Sequence, residues 1–345
     1  MNKATLGEKM QQRSTNINIM RFVAALGVLV AHAHVLSDGS QDWLMGLTGQ
    51  VTWGALAVDF FFFVSGLYVA KSLCRCANGR KYFAARSLRI FPLLGCVVLF
   101  TVFVFGPLAS TMGVGSYFLN LNTWKYLLNI ILLPVHYLPG VFENCQSMAT
   151  VNGSLWTLSV EFLCYIGLFF LYKLKFFEKR KCGLFGVGVL LGGTAGYYVG
   201  IRMGSSVILS ALQPTILFFV GALCYALRDK IVLDMKFGIA AVVVWIFCIF
   251  SKFAFWGNVF CLPVIIMVFL IGNRQMKGKA VHMGDWSYAM YLTAFPVQQA
   301  VVSANGGTMN PYVNILVSIP IVIFLSMLLC RLEKRVLALY ERRCQ

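Results

Sequence analysis

Charge is scarce in this chain, and negative charge is scarcest of all. Only 12% of its 345 residues are charged, 12 of them Asp or Glu against 29 Lys or Arg, while 59% are hydrophobic. A soluble domain carries about 25% charged residues, and no soluble core hides this much apolar surface, so a soluble globular protein is excluded. Histidine is rarer still, at four, which leaves few groups able to exchange a proton near neutral pH. Polar stretches long enough to fold separately are also lacking. Segments 1–16 and 331–345 are too short to hold a core, so residues 1–345 read as a single integral-membrane domain. A cleavable leader is not expected, because the first apolar segment carries Arg21 and His32 and no small-residue cleavage site follows it. The eleven cysteines follow no disulfide framework. Most lie in apolar segments, where Cys behaves as a small hydrophobe, and Cys145 is the one placed outside. Cys74 and Cys76 have no His or acidic neighbour at ligand spacing, so no metal is expected.

What the chain does have is a succession of apolar runs, each near the roughly 20 residues that cross a bilayer as a helix. They predict an all-α, polytopic membrane bundle of ten helices at 17–37, 53–73, 88–108, 154–174, 183–201, 207–227, 236–251, 254–272, 284–304 and 311–330. An eleventh apolar stretch, 126–142, contains Pro134, His136, Pro139 and Gly140, which make a poor spanning helix. The net charge of +17 is spread between the helices and not gathered on one domain, so no nucleic-acid partner is expected. It gathers instead at Lys3 to Arg13, Lys71 to Arg89, Lys173 to Lys181, Arg228 to Lys236, Arg274 to Lys279 and Arg331 to Arg343. All six clusters fall on one side of the membrane only if 126–142 does not span. By the positive-inside rule that side is cytoplasmic and holds both termini. Segment 126–142 then becomes a re-entrant or interfacial piece of a long external loop, 109–153, shielded by protein or a water-filled cavity.

Ionisable groups at membrane depth are costly and mark function by default. On the first helix Arg21 and His32 are eleven residues apart, hence on one face and about 16 Å apart along the axis, whereas His34 points to nearly the opposite side. Asp59 on the second helix and Glu161 on the fourth share the depth of His32, in the outer half. Arg86 and Arg89, at i and i+3, share the inner level of Arg21. A basic site at the inner surface suits phosphate, which Arg binds bidentately, and a His with a carboxylate suits abstraction of a hydroxyl proton. A narrow channel joining the two would suit an acyl carrier such as coenzyme A. Other readings stay open: the arginines also fit snorkelling anchors, His32 an interhelical hydrogen bond, and Asp59 and Glu161 pairing with buried Tyr or Ser. Ser65 before Gly66 reads as a close helix contact and not as a nucleophile, since no His or Lys stands at an activating spacing.

Five motifs, in order, resemble the bacterial integral-membrane acyltransferase family 3, which includes O-acetyltransferases of lipopolysaccharide O-antigen and other surface glycans. They are Arg21 with His32; the phenylalanine-rich run Asp59 to Gly66; Arg86-Ser87-Leu88-Arg89 ahead of Pro92; Ser154-Leu155-Trp156-Thr157-Leu158-Ser159-Val160-Glu161, with Thr157 where the family has Ser; and Gly284, Ser287, Tyr288, Tyr291 and Leu292. The resemblance implies ten helices in the bacterial inner membrane, acetyl-CoA (or another acyl-CoA) as a cytoplasmic co-substrate with no permanently bound cofactor, and transfer to a glycan or lipid-linked saccharide hydroxyl outside. It makes His32 catalytic and assigns Arg86 and Arg89 to the donor; joined to the depth pattern, this gives His32 as general base oriented by Glu161 or Asp59, Arg21 as a further donor contact, and Trp156, Tyr165, Ser287 and Tyr288 as candidates at the substrate. Many relatives carry His where this chain has Ala294, so the role rests more heavily on His32. Many also carry a C-terminal soluble hydrolase-like domain that aids transfer; with none expected after the last helix here, the chain is expected to act alone or with a partner. A transporter of acyl or glycan material, and an assembly partner for envelope synthesis, are the alternatives; the internal repeat a transporter would favour is not seen. Trp124, Tyr137 and Glu143 in the external loop are candidates for acceptor contact, or else interfacial side chains.

Overall fold

A computed structural model of the chain describes residues 4–12, 14–76, 78–146, 149–178, 181–277 and 279–343, with only the backbone at 206, 279–282 and 336–343. Lys3, Arg13, Lys179, Arg180 and Cys344 lie outside the described residues. The helices are α1 (Thr15–Ser37), α2 (Trp53–Cys76), α3 (Gly79–Ala109), α4 (Trp156–Lys173), α5 (Cys182–Met203), α6 (Ser206–Ala226), α7 (Met235–Ile249), α8 (Ala254–Gly272), α9 (Ser287–Ala304) and α10 (Pro311–Arg343). The chain is an all-α, multi-pass membrane bundle. Local chemistry sets several boundaries: Ser205 caps α6 by accepting from Ile208 N, Asp234 caps α7 by accepting from Lys236 N, and Gly204 ends α5 in the left-handed region at φ 60°.

A helix therefore stands at each of the ten expected positions, with corrected bounds. Eight of these helices are long and apolar enough to cross a bilayer, among the described residues. The other two fall short. α7 has 15 residues, a rise of about 22 Å against a hydrocarbon core of about 30 Å, because the chain turns at Phe250 before α8 begins. α9 starts at Ser287 and not at 284, after a 3₁₀ stretch over Lys279–Trp286, and it carries Pro296, Gln298 and Gln299 in its interior. α3 begins nine residues ahead of the expected 88, and α10 continues to Arg343. Segment 126–142 forms no long helix. A 3₁₀ stretch, Tyr126–Ile131, ends at Leu132 with φ 63°. Asn129 then satisfies the irregular backbone: its Nδ2 donates to Tyr126 O (2.8 Å) and Val135 O (2.9 Å), and its Oδ1 accepts from Val135 N (3.1 Å). Internal pairing of this kind is what a non-helical segment near a membrane requires.

The chain divides into two compact units. The first comprises residues 1–24, 44–84 and 160–281. Its closest pair is α2 against α6, where Gly66 lies on the Phe218 carbonyl and Gly221 on the Phe63 carbonyl, so the backbones touch. Small residues at such crossings let dispersion hold helices together where lipid supplies no hydrophobic drive. A helical turn at Leu6–Lys9, closed by a Thr5/Glu8 capping box, donates from Leu6 N to Ile231 O (2.8 Å) and buries Leu6.

The second unit comprises residues 25–43, 85–159 and 282–345. α9 and α10 pack as a hairpin whose turn uses Gly306 and Gly307 at φ 85° and 93°. The turn is bonded to the end of α1: Met309 N donates to Ser37 O (3.1 Å), and the buried Asn314 donates from Nδ2 to Ser37 Oγ (2.9 Å).

Candidate functional site

Both membrane-depth carboxylates belong to the first unit, and each accepts two hydrogen bonds there through one oxygen. Asp59, buried, accepts through Oδ2 from Gln213 Nε2 and from Asn258 Nδ2 (3.3 Å), joining α2 to α6 and α8. Asn258 Oδ1 in turn accepts from Trp245 Nε1 at 2.8 Å. Glu161, half-buried, accepts through Oε1 from Ser65 Oγ (2.7 Å) and Tyr165 Oη (2.6 Å). Tyr165 follows Glu161 by four residues and so shares its helix face. Its own backbone carbonyl accepts from Tyr82 Oη at 2.9 Å. Ser65 therefore spends its proton on a carboxylate at a tight helix crossing. Arg21, half-buried on α1, lies in the same unit.

The second unit holds His32, Arg86, Arg89, Trp156, Ser287 and Tyr288. The His32 ring meets the Phe295 ring edge-on, with centroids 5.1 Å apart and planes at 72°. Its Nδ1 is buried and has no hydrogen-bond partner among the described residues. His34 is engaged elsewhere, with Nδ1 3.2 Å from Ser40 Oγ and its ring edge-on to Tyr312. Arg86 is half-buried and Arg89 exposed on α3. Ser287 is buried and donates to Gly284 O (2.8 Å), while Tyr288 Oη donates to Ile90 O (2.9 Å) directly beside Arg89. Trp156, half-buried, opens α4. Of the loop candidates, Trp124 Nε1 donates to Phe118 O (2.9 Å) and Glu143 accepts from Gly140 N (3.0 Å), so both bond within their own segment, whereas Tyr137 is 58% exposed.

One functional neighbourhood was not read from the sequence. Pro296 has no N–H, so the carbonyl four residues earlier, Leu292 O, lacks its helical donor. Asn152 supplies one, donating from Nδ2 at 3.0 Å. The Asn152 Oδ1 meanwhile accepts from Ser154 N (3.1 Å) and Ser154 Oγ (2.7 Å), and Asn152 O lies 3.1 Å from His136 Nδ1. Tyr291 Oη completes the network by donating to Ser154 O, in contact with Thr157 Oγ1. The start of α4 is thereby pinned to the middle of α9, where Pro296 interrupts the helical hydrogen bonding, one turn from the Phe295 that touches His32. The signal was present as a proline inside a membrane helix, which demands a substitute donor from elsewhere in the chain.

Chemically, the second unit offers an imidazole against an apolar ring on a membrane-spanning helix, with two arginines, Arg86 and Arg89, in the same unit. The family model for acyltransferase family 3, described as an acyltransferase domain, matches residues 14–332. An O-acetyl transferase of Shigella phage Sf6 is 28% identical over 347 residues, covering 94% of this chain and 96% of that protein. Acyltransferase MdmB of Streptomyces mycarofaciens is 23% identical over 322 residues, 83% of this chain and 79% of the relative. Nodulation protein 10 of Rhizobium leguminosarum bv. viciae is 30% identical over 163 residues, 44% of this chain and 42% of its own length. No solved structure matches. Matched across almost its whole length and built as a membrane helix bundle, the chain belongs to acyltransferase family 3 and is a multi-pass membrane acyltransferase.

Proposed function

We propose that this acyltransferase moves an acetyl group from cytoplasmic acetyl-CoA to a hydroxyl of a cell-surface glycan, such as lipopolysaccharide O-antigen, on the outer side of the bacterial inner membrane. The observation that carries the reading is His32: a histidine inside a membrane helix, its Nδ1 buried and without a partner among the described residues, against Phe295. The full-length likeness to an O-acetyl transferase supports acetyl as the group and oxygen as its destination. The basic clusters support a cytoplasmic location for both termini and for the donor.

In this mechanism His32 takes the proton from the acceptor hydroxyl as that oxygen attacks the thioester carbonyl carbon. The new C–O bond forms, the C–S bond breaks, and the proton passes from His32 to the departing thiolate of coenzyme A. General-base assistance of this sort contributes about 10²- to 10⁴-fold. Arg86 and Arg89 hold the donor's phosphates, and Tyr288 fixes the backbone beside Arg89. Trp156 contacts the acceptor. Glu161, tied to Ser65 and Tyr165, and Asp59, clamped by two amides, hold their helices in register in this reading.

The test is His32→Ala in the native host, with the surface glycan analysed by mass spectrometry. Loss of the acetyl increment at unchanged protein level is expected. Full acetylation in that variant would sink the assignment.

A further inference from the structure

A second buried atom in the same unit faces the problem His32 faces. Gln298 on α9 is completely buried, and its Nε2 donates to Leu29 O on α1 at 2.9 Å. Its Oε1 is buried with no hydrogen-bond partner among the described residues, as is His32 Nδ1. These two orphans are neighbours by helix geometry. Leu29 precedes His32 by three residues, on the same face of α1, and a helical side chain leans back over the turn before its own Cα. The His32 ring therefore lies over the turn whose carbonyl Gln298 grips. On α9, Phe295 and Gln298 are likewise three apart, and Phe295 is the residue whose ring touches His32. One atom can donate and the other only accept, and each side chain is tied to a residue three positions from the other on its helix, Gln298 to Leu29 and His32 to Phe295.

Resting on the reading of His32 as the base, we propose that Gln298 is its positioning residue: Gln298 Oε1 accepts the Nδ1 proton of His32, directly or through one bridging water, and so fixes the tautomer. The sp² lone pair of the other ring nitrogen, Nε2, is then the one presented to the acceptor hydroxyl. A neutral amide does this without placing a charge in the membrane interior, and the Leu29 bond holds the amide so that Oε1, not Nε2, faces the imidazole. The device differs from a carboxylate-oriented histidine in one respect: it selects the tautomer and orients the ring without supplying a counter-charge to the imidazolium.

The experiment uses the full chain in lipid nanodiscs, labelled acetyl-CoA, and lipid-linked glycan extracted from a host lacking this protein. Gln298→Met fills the space but offers no oxygen acceptor; it is expected to lower kcat about 100-fold, the low end of a general base's contribution, with KM for acetyl-CoA within about twofold. Gln298→Glu loses the Leu29 bond but keeps an acceptor, and is expected to recover most of kcat. Equal losses in the two variants would show a helix clamp only and overturn the proposal, as would a Met variant with normal kcat beside an inactive His32→Ala. An active His32→Ala would instead refute the base itself. Should the variants fail to accumulate, ¹⁵N spectra of His32 in the unsubstituted chain decide: the Nδ1–H tautomer is expected, and Nε2–H overturns the assignment.

Discussion

Replacing Asn152 with alanine removes three hydrogen bonds from a buried position, and their consequences differ. The bond to Leu292 O serves a carbonyl that Pro296 has already deprived of its helical donor, so its loss leaves a buried acceptor unmade, at about 1–3 kcal/mol. Ser154 N loses its acceptor at a net cost of about 1 kcal/mol. Ser154 Oγ retains Tyr291 O at 3.3 Å, so its loss is largely offset. The variant should therefore be destabilised by about 3 kcal/mol, a large part of the 5–15 kcal/mol that holds an ordinary protein folded. Steric-trap unfolding in bicelles measures this. The specific arm is Pro296→Ala made in the Asn152→Ala background, since alanine at 296 returns a backbone N–H four residues after Leu292. A double-mutant cycle should show a favourable coupling of about 1–2 kcal/mol. Additivity to within about 0.5 kcal/mol, or an Asn152→Ala cost under about 1 kcal/mol, would refute the account of the orphaned carbonyl.

Three further outcomes follow from the geometry. Arg86→Ala with Arg89→Ala should raise KM for acetyl-CoA about tenfold or more while lowering kcat less, the pattern of lost uniform binding; an unchanged KM makes the pair a topological anchor. Gly66→Ala puts a methyl onto the Phe218 carbonyl and should cost about 1–3 kcal/mol as an overpacked contact, with Gly95→Ala, on α3 where an added methyl meets nothing within 4 Å, as a mild control in the same unfolding assay. A cysteine in place of the exposed Tyr137 should react with an impermeant thiol reagent applied to intact spheroplasts, and labelling only after lysis would reverse the sidedness assigned to segment 126–142.

Much of the helical plan was legible because apolar length and proline placement are local properties of the chain. The Glu161–Tyr165 contact is of the same kind, a spacing of four on one helix. The failures are non-local. Asn152 looks like an ordinary loop residue until Pro296, 144 positions later, creates a need for its amide. Gln298 escaped notice because a search of membrane segments for ionisable groups passes over a neutral amide, although an amide buried there has the same requirement for partners. α7 was expected longer because Phe250 continues the apolar run while the backbone has already turned.

The clamp on Asp59 also sets a schedule for synthesis. The two amides that satisfy it follow 154 and 199 residues later in the chain. At about 5–20 residues per second, Asp59 waits roughly 10–40 s after its own translation before Gln213 and Asn258 both exist. Throughout that interval the nascent chain carries a carboxyl group in a helix otherwise ready for lipid, so α2 has to be sheltered by the insertion machinery, or enter the bilayer with Asp59 protonated, until α6 and α8 arrive. A chain truncated between α2 and α6 would leave the group unpaired for good, which makes this aspartate a built-in check that the later half of the protein has been made.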